Sequence, residues 1–260
     1  MKDKLKSFLK RWPKFYNFLK RGYSAFRSMQ RRLLGTELEE KYWATRHLRK
    51  GDDWGSEEND WVRGYWDSRD HSHRSFLIER ISKFSPSSIL EVGCNCGPNL
   101  YMLAKRFPDA EIRGIDINSM AVQKGNEWFT QEDISNVKLF VGKADDLRQF
   151  QDKSFDVVFT DAVLIYVGPD KIKKVMEEML RVTRKALIFL EWHCFDSKRN
   201  PLGVYVGHWM RDYRALLKEF VPEDKIKVTK MPKDLWPDPN WQRWGGVVEV
   251  VLIRQRRKIK

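Results

Sequence analysis

Residues 88 to 100, SILEVGCNCGPNL, constrain the fold more than any other stretch of the chain. An aliphatic run ends in an acid, passes through a glycine-rich turn and enters a helix-forming segment. Glycine at Gly93 and Gly97 lets the backbone take positive φ and approach a ligand closely. Glu91, at the carboxyl end of the strand, offers an acceptor to hydroxyl or ammonium groups. The order of strand, acid, glycine turn and helix is that of a nucleotide-type cofactor loop.

Beyond this loop, strand and helix patterns alternate. The hydrophobic pattern predicts strands at 88–92, 111–115, 137–141, 155–160 and 185–192, with helices at 99–107, 119–131 and 169–182 between them. A further helix near 209–219 and strands near 226–230 and 246–254 complete the series. Such alternation defines an α/β fold, a doubly wound Rossmann-like, mostly parallel sheet, here with an amino-terminal helical extension. The 260 residues divide into a basic amphipathic extension (1–35), a cap with a leading helix over SHRSFLIERISKF (36–80), the Rossmann-like domain (81–254) and a basic tail (255–260). Ligand chemistry belongs at the carboxyl ends of the strands.

The charge is uneven. Of 49 Lys and Arg, eleven fall within residues 1 to 35 against the single acid Asp3, and five within 254 to 260 with no acid. The body between is near neutral, so an anionic surface would be met by the termini. In the first segment Leu5, Phe8, Leu9, Trp12, Phe15, Leu19, Tyr23, Phe26 and Leu33 recur three or four apart, which predicts a helix to Trp12 and another from Pro13 to Leu34, stopped by Gly35. Three readings stay open for it: packing over its own domain, lying on an anionic membrane surface, or contacting nucleic acid, the last without an accompanying RNA-binding motif. There is no apolar run of about 18 residues to span a bilayer. Three cysteines, with Cys94 and Cys96 on either side of one turn residue, make no disulfide framework and no zinc set. The expectation is a reduced, cytoplasmic protein, peripheral at the inner membrane face if the extension binds lipid, with no metal.

The second strand ends in EIRGIDIN, so Asp116 follows Glu91 by about one βαβ unit and can accept both hydroxyls of a ribose. A dinucleotide site needs G-x-G-x-x-G to seat its pyrophosphate. This loop reads E-x-G-x-N-x-G instead. In EVGCNCG, GIDIN, GKADDL and FDVVFTDAVLIYV, in that order and spacing over residues 75 to 195, the chain resembles the class I S-adenosylmethionine-dependent methyltransferases. Asn95 replaces the middle glycine of their first motif, and Asn is the non-glycine residue that best tolerates left-handed φ. Through Glu91 to Asn99, Val158 to Val167 and Gly207 to Asp212, the sequence is also similar to small methylases of pseudaminic acid and surface-sugar biosynthesis.

The resemblance implies S-adenosylmethionine as cofactor. Glu91, Gly93, Asn95 and Gly97 would lie against its methionine part, Asp116 on the ribose, and Ile117 and the backbone of Ala144 on the adenine. Many relatives carry an Asp where this chain has Lys143, so Asp145 is the expected substitute for the adenine amino group. Trp43 and Arg46 are candidates to close over the methionine carboxylate.

Methyl transfer is an in-line displacement that calls for alignment and exclusion of water. A hydroxyl acceptor also benefits from a base. Glu191 and His193, two apart on an extended segment, point the same way and are the candidates, with Asp161 as cofactor contact or base. Tyr166 and His208 are near in order; His71 and His73 read as cap or substrate residues; Trp236, Trp241 and Trp244 are candidate substrate-pocket rings. The expected activity is O-methylation of a small-molecule or lipid- or sugar-linked acceptor, the alternatives being an RNA methyltransferase or a catalytically silent cofactor-binding or membrane-associated protein.

Overall fold

The computed structural model describes Met29 and residues 35–48, 61–196 and 201–253. The basic extension and the carboxyl-terminal tail read from the sequence lie outside the described residues, Met29 and Gly35 excepted. The order is helix α1 (Glu37–Ala44), α2 (Trp61–Asp67), α3 (Ser72–Ser82), strand β1 (Ser88–Val92), α4 (Pro98–Arg106), β2 (Glu111–Asp116), α5 (Ser119–Gln131), β3 (Val137–Val141), β4 (Phe155–Asp161), α6 (Ile172–Val182), β5 (Thr183–Trp192), β6 (Val204–Tyr205), β7 (Trp209–Met210), α7 (Tyr213–Leu217), β8 (Ile226–Lys230), α8 (Pro239–Trp244) and β9 (Gly245–Val251).

Seven strands form one sheet in the order β3-β2-β1-β4-β5-β9-β8. The first five are parallel, and β9 runs antiparallel between β5 and β8. The apolar runs of β1 and β4 are long because helices cover both faces of the sheet. On one face Ile89, Ile112, Val157, Phe159, Ile188 and Leu190 pack with Trp61, Trp66, Leu77, Leu100 and Phe129. On the other, Leu90, Val92, Val158, Leu187 and Phe189 meet Val175, Met176, Met179 and Leu216. Neighbours in a strand thus serve opposite cores. The helices between 61 and 82 share the first core, so the cap is packed as part of the sheet domain.

Local signals set the helix starts. Asn118 Oδ1 accepts from Ala121 N at 3.1 Å to cap α5, and Asp238 caps α8, with Pro239 in its first turn. The sequence expects a helix from 209; instead Trp209–Met210 pairs with Val204–Tyr205 as a small hairpin and the helix begins at Tyr213. The reason is local: Gly207 turns at φ +101°, and Asp212 takes the cap by accepting from Ala215 N at 3.0 Å. Similarly, α6 starts at Ile172 and not 169, because Gly168 N donates to Thr36 Oγ1 at 2.7 Å and Asp170 accepts from Thr36. Among the described residues no helix is long and apolar enough to cross a membrane.

Candidate active site

A cavity of about 660 Å³ opens at the carboxyl ends of β1, β2 and β4 and runs out to the aromatic residues before β9. That volume suits a cofactor together with a small acceptor. Its inner wall is the turn after β1. Gly93 sits at φ +80°, and a Cβ there would stand 2.3 Å from the Val163 side chain. Asn95 has φ +53°, the left-handed geometry anticipated for it, and its backbone N–H donates to Asp116 Oδ2 at 2.8 Å. Asp116 Oδ1 accepts from Asn118 N, also at 2.8 Å. Each carboxylate oxygen therefore keeps a lone pair for a further donor.

Glu91, Gly93, Asn95, Asp116, Ile117, Ala144, Asp145 and Asp161 all line this one cavity. Gly97, expected there too, is absent from the lining. Its φ of +85° starts α4, and a Cβ would meet Phe129 at 2.8 Å, so it serves packing of helix on sheet.

A buried polar knot stands behind Glu91 at the inner wall of the cavity. Asn99 Nδ2 donates to Glu91 Oε1 at 2.6 Å and to Asp161 Oδ2 at 3.0 Å, while its Oδ1 accepts from Arg74 Nη1 at 2.9 Å. Asp161 Oδ2 also takes Arg74 Nη1 at 3.3 Å and the His73 Nε2 edge at 3.0 Å. Burial pushes the Asp161 carboxyl up, but His73, Arg74 and Asn99 outweigh it and hold it at about 2. Glu91 is driven well above the carboxylate range by burial, against the lowering effect of Asn99. Three buried atoms at this wall have no partner among the described residues: Glu91 Oε2, Asp161 Oδ1 and the Trp43 Nε1–H. Two acceptors and one donor are the complement of an ammonium and a carboxylate.

Helix α1 closes the other end. Glu40 accepts from Lys143 Nζ at 2.7 Å and from Lys171 Nζ at 2.5 Å, and Lys171 also reaches Asp145 at 3.0 Å. Lys143 is thus an anchor for the covering helix. The Trp43 carbonyl accepts from Asn118 Nδ2 at 2.7 Å, which ties α1 to the loop beyond Asp116. Arg46, buried, lies over the Trp61 and Tyr42 rings at 5.5 and 5.9 Å.

The outer wall is aromatic. Trp236 stacks on Trp241 at 4.1 Å and 4°, and on His73 at 4.1 Å and 26°. Both tryptophans line the cavity, as do Tyr166 and His208; Trp244 does not and packs on Trp192.

The base expected from Glu191 and His193 is not at this cavity. Glu191 is wholly buried and its oxygens accept from Thr160 Oγ1 and from the amides of Val163, Leu164 and Ile165 at 2.8 to 3.1 Å. Burial still raises its carboxyl to about 7. His193 turns onto Tyr213, its Nδ1 accepting that residue's N–H at 3.3 Å, and burial drops its pKa to about 4. Both order loops. Their alternation at the end of β5 was legible, but which face met the cavity was not. Sequence reasoning also missed Arg74, for which neither periodicity nor spacing gives a signal, and gave Asn99 no role within its motif; His71 and His73, read as cap or substrate residues, both line the cavity.

A glycine turn, an acid ending the neighbouring strand and a cavity across the strand ends define an adenosyl-cofactor protein of the doubly wound class. A family model described as a methyltransferase domain matches residues 89–186. The demethylmenaquinone methyltransferase of Listeria monocytogenes is 33% identical over 171 residues, 65% of this chain and 68% of that protein. The sterol 24-C-methyltransferase ERG6A of Gibberella zeae is 30% identical over 131 residues, 49% of this chain and 33% of that protein. The crystal structure of geranyl diphosphate C-methyltransferase from Streptomyces coelicolor shares the fold at TM-score 0.54 and 11% identity, covering 78% of this chain and 86% of that one. The chain spans between 33% and 59% of the first curated relatives it matches. It belongs to the class I S-adenosylmethionine-dependent methyltransferases.

Proposed function

We propose that the chain transfers a methyl group from S-adenosylmethionine to a hydroxyl of a ring-bearing small-molecule or lipid-linked acceptor. One observation carries this: a single cavity joins the glycine turn and Asp116 to the stacked rings of His73, Trp236 and Trp241. Asp116 would accept ribose hydroxyls on its remaining lone pairs, Ile117 and Ala144 would give the adenine an apolar wall, and Asp145, on the same cavity wall, would take its amino group. Glu91 Oε2 and Asp161 Oδ1 suit the ammonium; Trp43 Nε1 and Arg46 suit the carboxylate. Bound there, the cofactor supplies a sulfonium methyl open to in-line attack. The chain's part is to align the acceptor and keep water out, which α1 and the aromatic wall do.

Flat indole faces stack on sugar or aromatic rings, and the likeness of Glu91 to Asn99 to surface-sugar methylases points the same way. The test is a labelled-methyl assay on native extract separated into lipid, polysaccharide, RNA and protein. Label in the lipid or saccharide fraction is expected. Label confined to RNA, steeply salt-dependent and lost on deleting residues 1 to 35, overturns the acceptor class.

The basic, aromatic segment 1–35 fits an anionic membrane surface. Sedimentation with phosphatidylglycerol vesicles should be lost in Trp12→Glu, Phe15→Glu; retention at the parental level refutes it.

A further inference from the structure

Trp192 ends β5, and alternation along that strand sets it apart from its neighbour. Glu191 turns beneath the loop of Val163 to Ile165, so Trp192 takes the opposite face, the one covered by the cap helices. There it shares a core with Leu190, Met231 and Trp241, and its side chain lines the cavity. In the strand order β2-β1-β4-β5, Trp192 stands two strands along from the glycine turn, roughly 10 Å at the usual strand spacing of about 4.8 Å. The atoms suited to the donor's ammonium and carboxylate are at the other end.

The indole Nε1–H of Trp192 is buried and has no partner among the described residues. An indole nitrogen donates and does not accept, and a buried donor left unpaired is uncommon, because it has given up water and gained nothing. The rings around it are Trp244 and His208, both at 5.1 Å, and Trp241 at 6.2 Å. The two tryptophans are donors themselves and bring no lone pair. The strand holds the residue in place: Trp192 is paired with Gly245 of β9, and its carbonyl accepts from Arg211 N at 3.4 Å. A fixed donor therefore stands in the acceptor half of the cavity, and the bound methyl donor does not account for it.

We infer that Trp192 is a binding residue for the methyl acceptor, its indole N–H donating to an oxygen of that molecule. This rests on the transferase reading of the site and narrows the acceptor class. A hydrogen bond to the attacking oxygen would hold the lone pair that forms the new bond, so the partner is a second oxygen, of a carbonyl, a carboxylate, an ether or another hydroxyl. An acceptor that is apolar at this end leaves the N–H unpaired and is disfavoured.

The test compares Trp192→Phe with Trp244→Phe in the full chain. The second variant makes the same change in a ring that packs on Trp192 but does not line the cavity. With the extract fraction that the wild-type protein labels, Trp192→Phe should need about 3- to 10-fold more of the fraction for half-maximal rate, the effect of one hydrogen bond. Its maximal rate and its affinity for S-adenosylmethionine should stay at the parental values, as for lost ground-state binding. Trp244→Phe should match the parent throughout. Equal half-saturation in the two variants refutes the contact. A second measurement needs no variant. In ¹⁵N-tryptophan protein with sinefungin bound, the Trp192 indole N–H signal, identified by nuclear Overhauser contacts with His208 and Trp244, should move downfield on adding the native lipid or saccharide fraction. A signal that stays in place with both overturns the inference. A wild-type protein that binds the donor yet labels no fraction sinks the transferase reading instead, and the same indole titration still decides whether an oxygen-bearing ligand reaches Trp192.

Discussion

Glu191 and Arg211 hold one loop by its two kinds of backbone group. Glu191 accepts the amides of Val163, Leu164 and Ile165 at 2.9, 3.0 and 3.1 Å, while Arg211 donates to the carbonyl of Leu164 at 2.7 Å and to that of Val167. Both side chains are fully buried. Between them they fix Tyr166 on the cavity wall and Val163 against Gly93, so an acid and a base of the core shape the site without lining the cavity.

Replacing Glu191 by Gln leaves at least one of the loop amides facing a donor. The expected cost is about 1.5 to 3 kcal/mol in stability, the range for hydrogen bonds to a charged group. Denaturant unfolding measures it. A midpoint equal to that of the parent shows that the loop does not depend on this carboxylate.

Asp116→Ala removes the acceptor proposed for the ribose and also frees Asn95 N. Donor affinity should fall by about 1.5 to 3 kcal/mol, read by titration calorimetry with S-adenosylmethionine. An unchanged dissociation constant contradicts the ribose role.

Gly93→Ala meets two obstacles, a left-handed φ and the Val163 methyls. The first alone costs about 1 to 2 kcal/mol. Pairing it with Val163→Ala should recover the steric part and leave the conformational part, so the double variant is expected to lie between Gly93→Ala and the parent in thermal stability. A Gly93→Ala protein as stable as the parent rules out this geometry.

Asp161 links pH to stability. Its folded pKa of about 2 lies below the ordinary 3.8, so the unfolded chain takes up the proton first. The carboxylate's contribution is complete above about pH 4 and is lost as pH falls toward 2. Asp156, also held at about 2, acts in the same window, so the comparison must be between parent and Asp161→Asn. The variant should show the shallower loss of stability between pH 4 and 2 in acid unfolding. Parallel curves exclude the linkage.

The alternation of elements, the turn from Gly93 to Gly97, the left-handed Asn95 and the position of Asp116 were all legible in the sequence. Each is written within a few residues by periodicity, by glycine and by helix caps, which are local physics. The inner wall of the cavity could be read for the same reason, since it is built from consecutive strand ends.

Trp236 and Trp241 could be named from the sequence, but which side chains they meet on the cavity wall was decided by the tertiary structure. His73 meets Asp161 across 88 positions of chain and stacks on Trp236, because the polarity of a parallel sheet gathers distant strand ends at one edge and the covering helices are packed against them. The same packing turned Glu191 and His193 inward, away from the cavity. Strand alternation states only that two residues share a face; which neighbours that face meets depends on the order of the strands and the helices laid over them, and no local pattern encodes it.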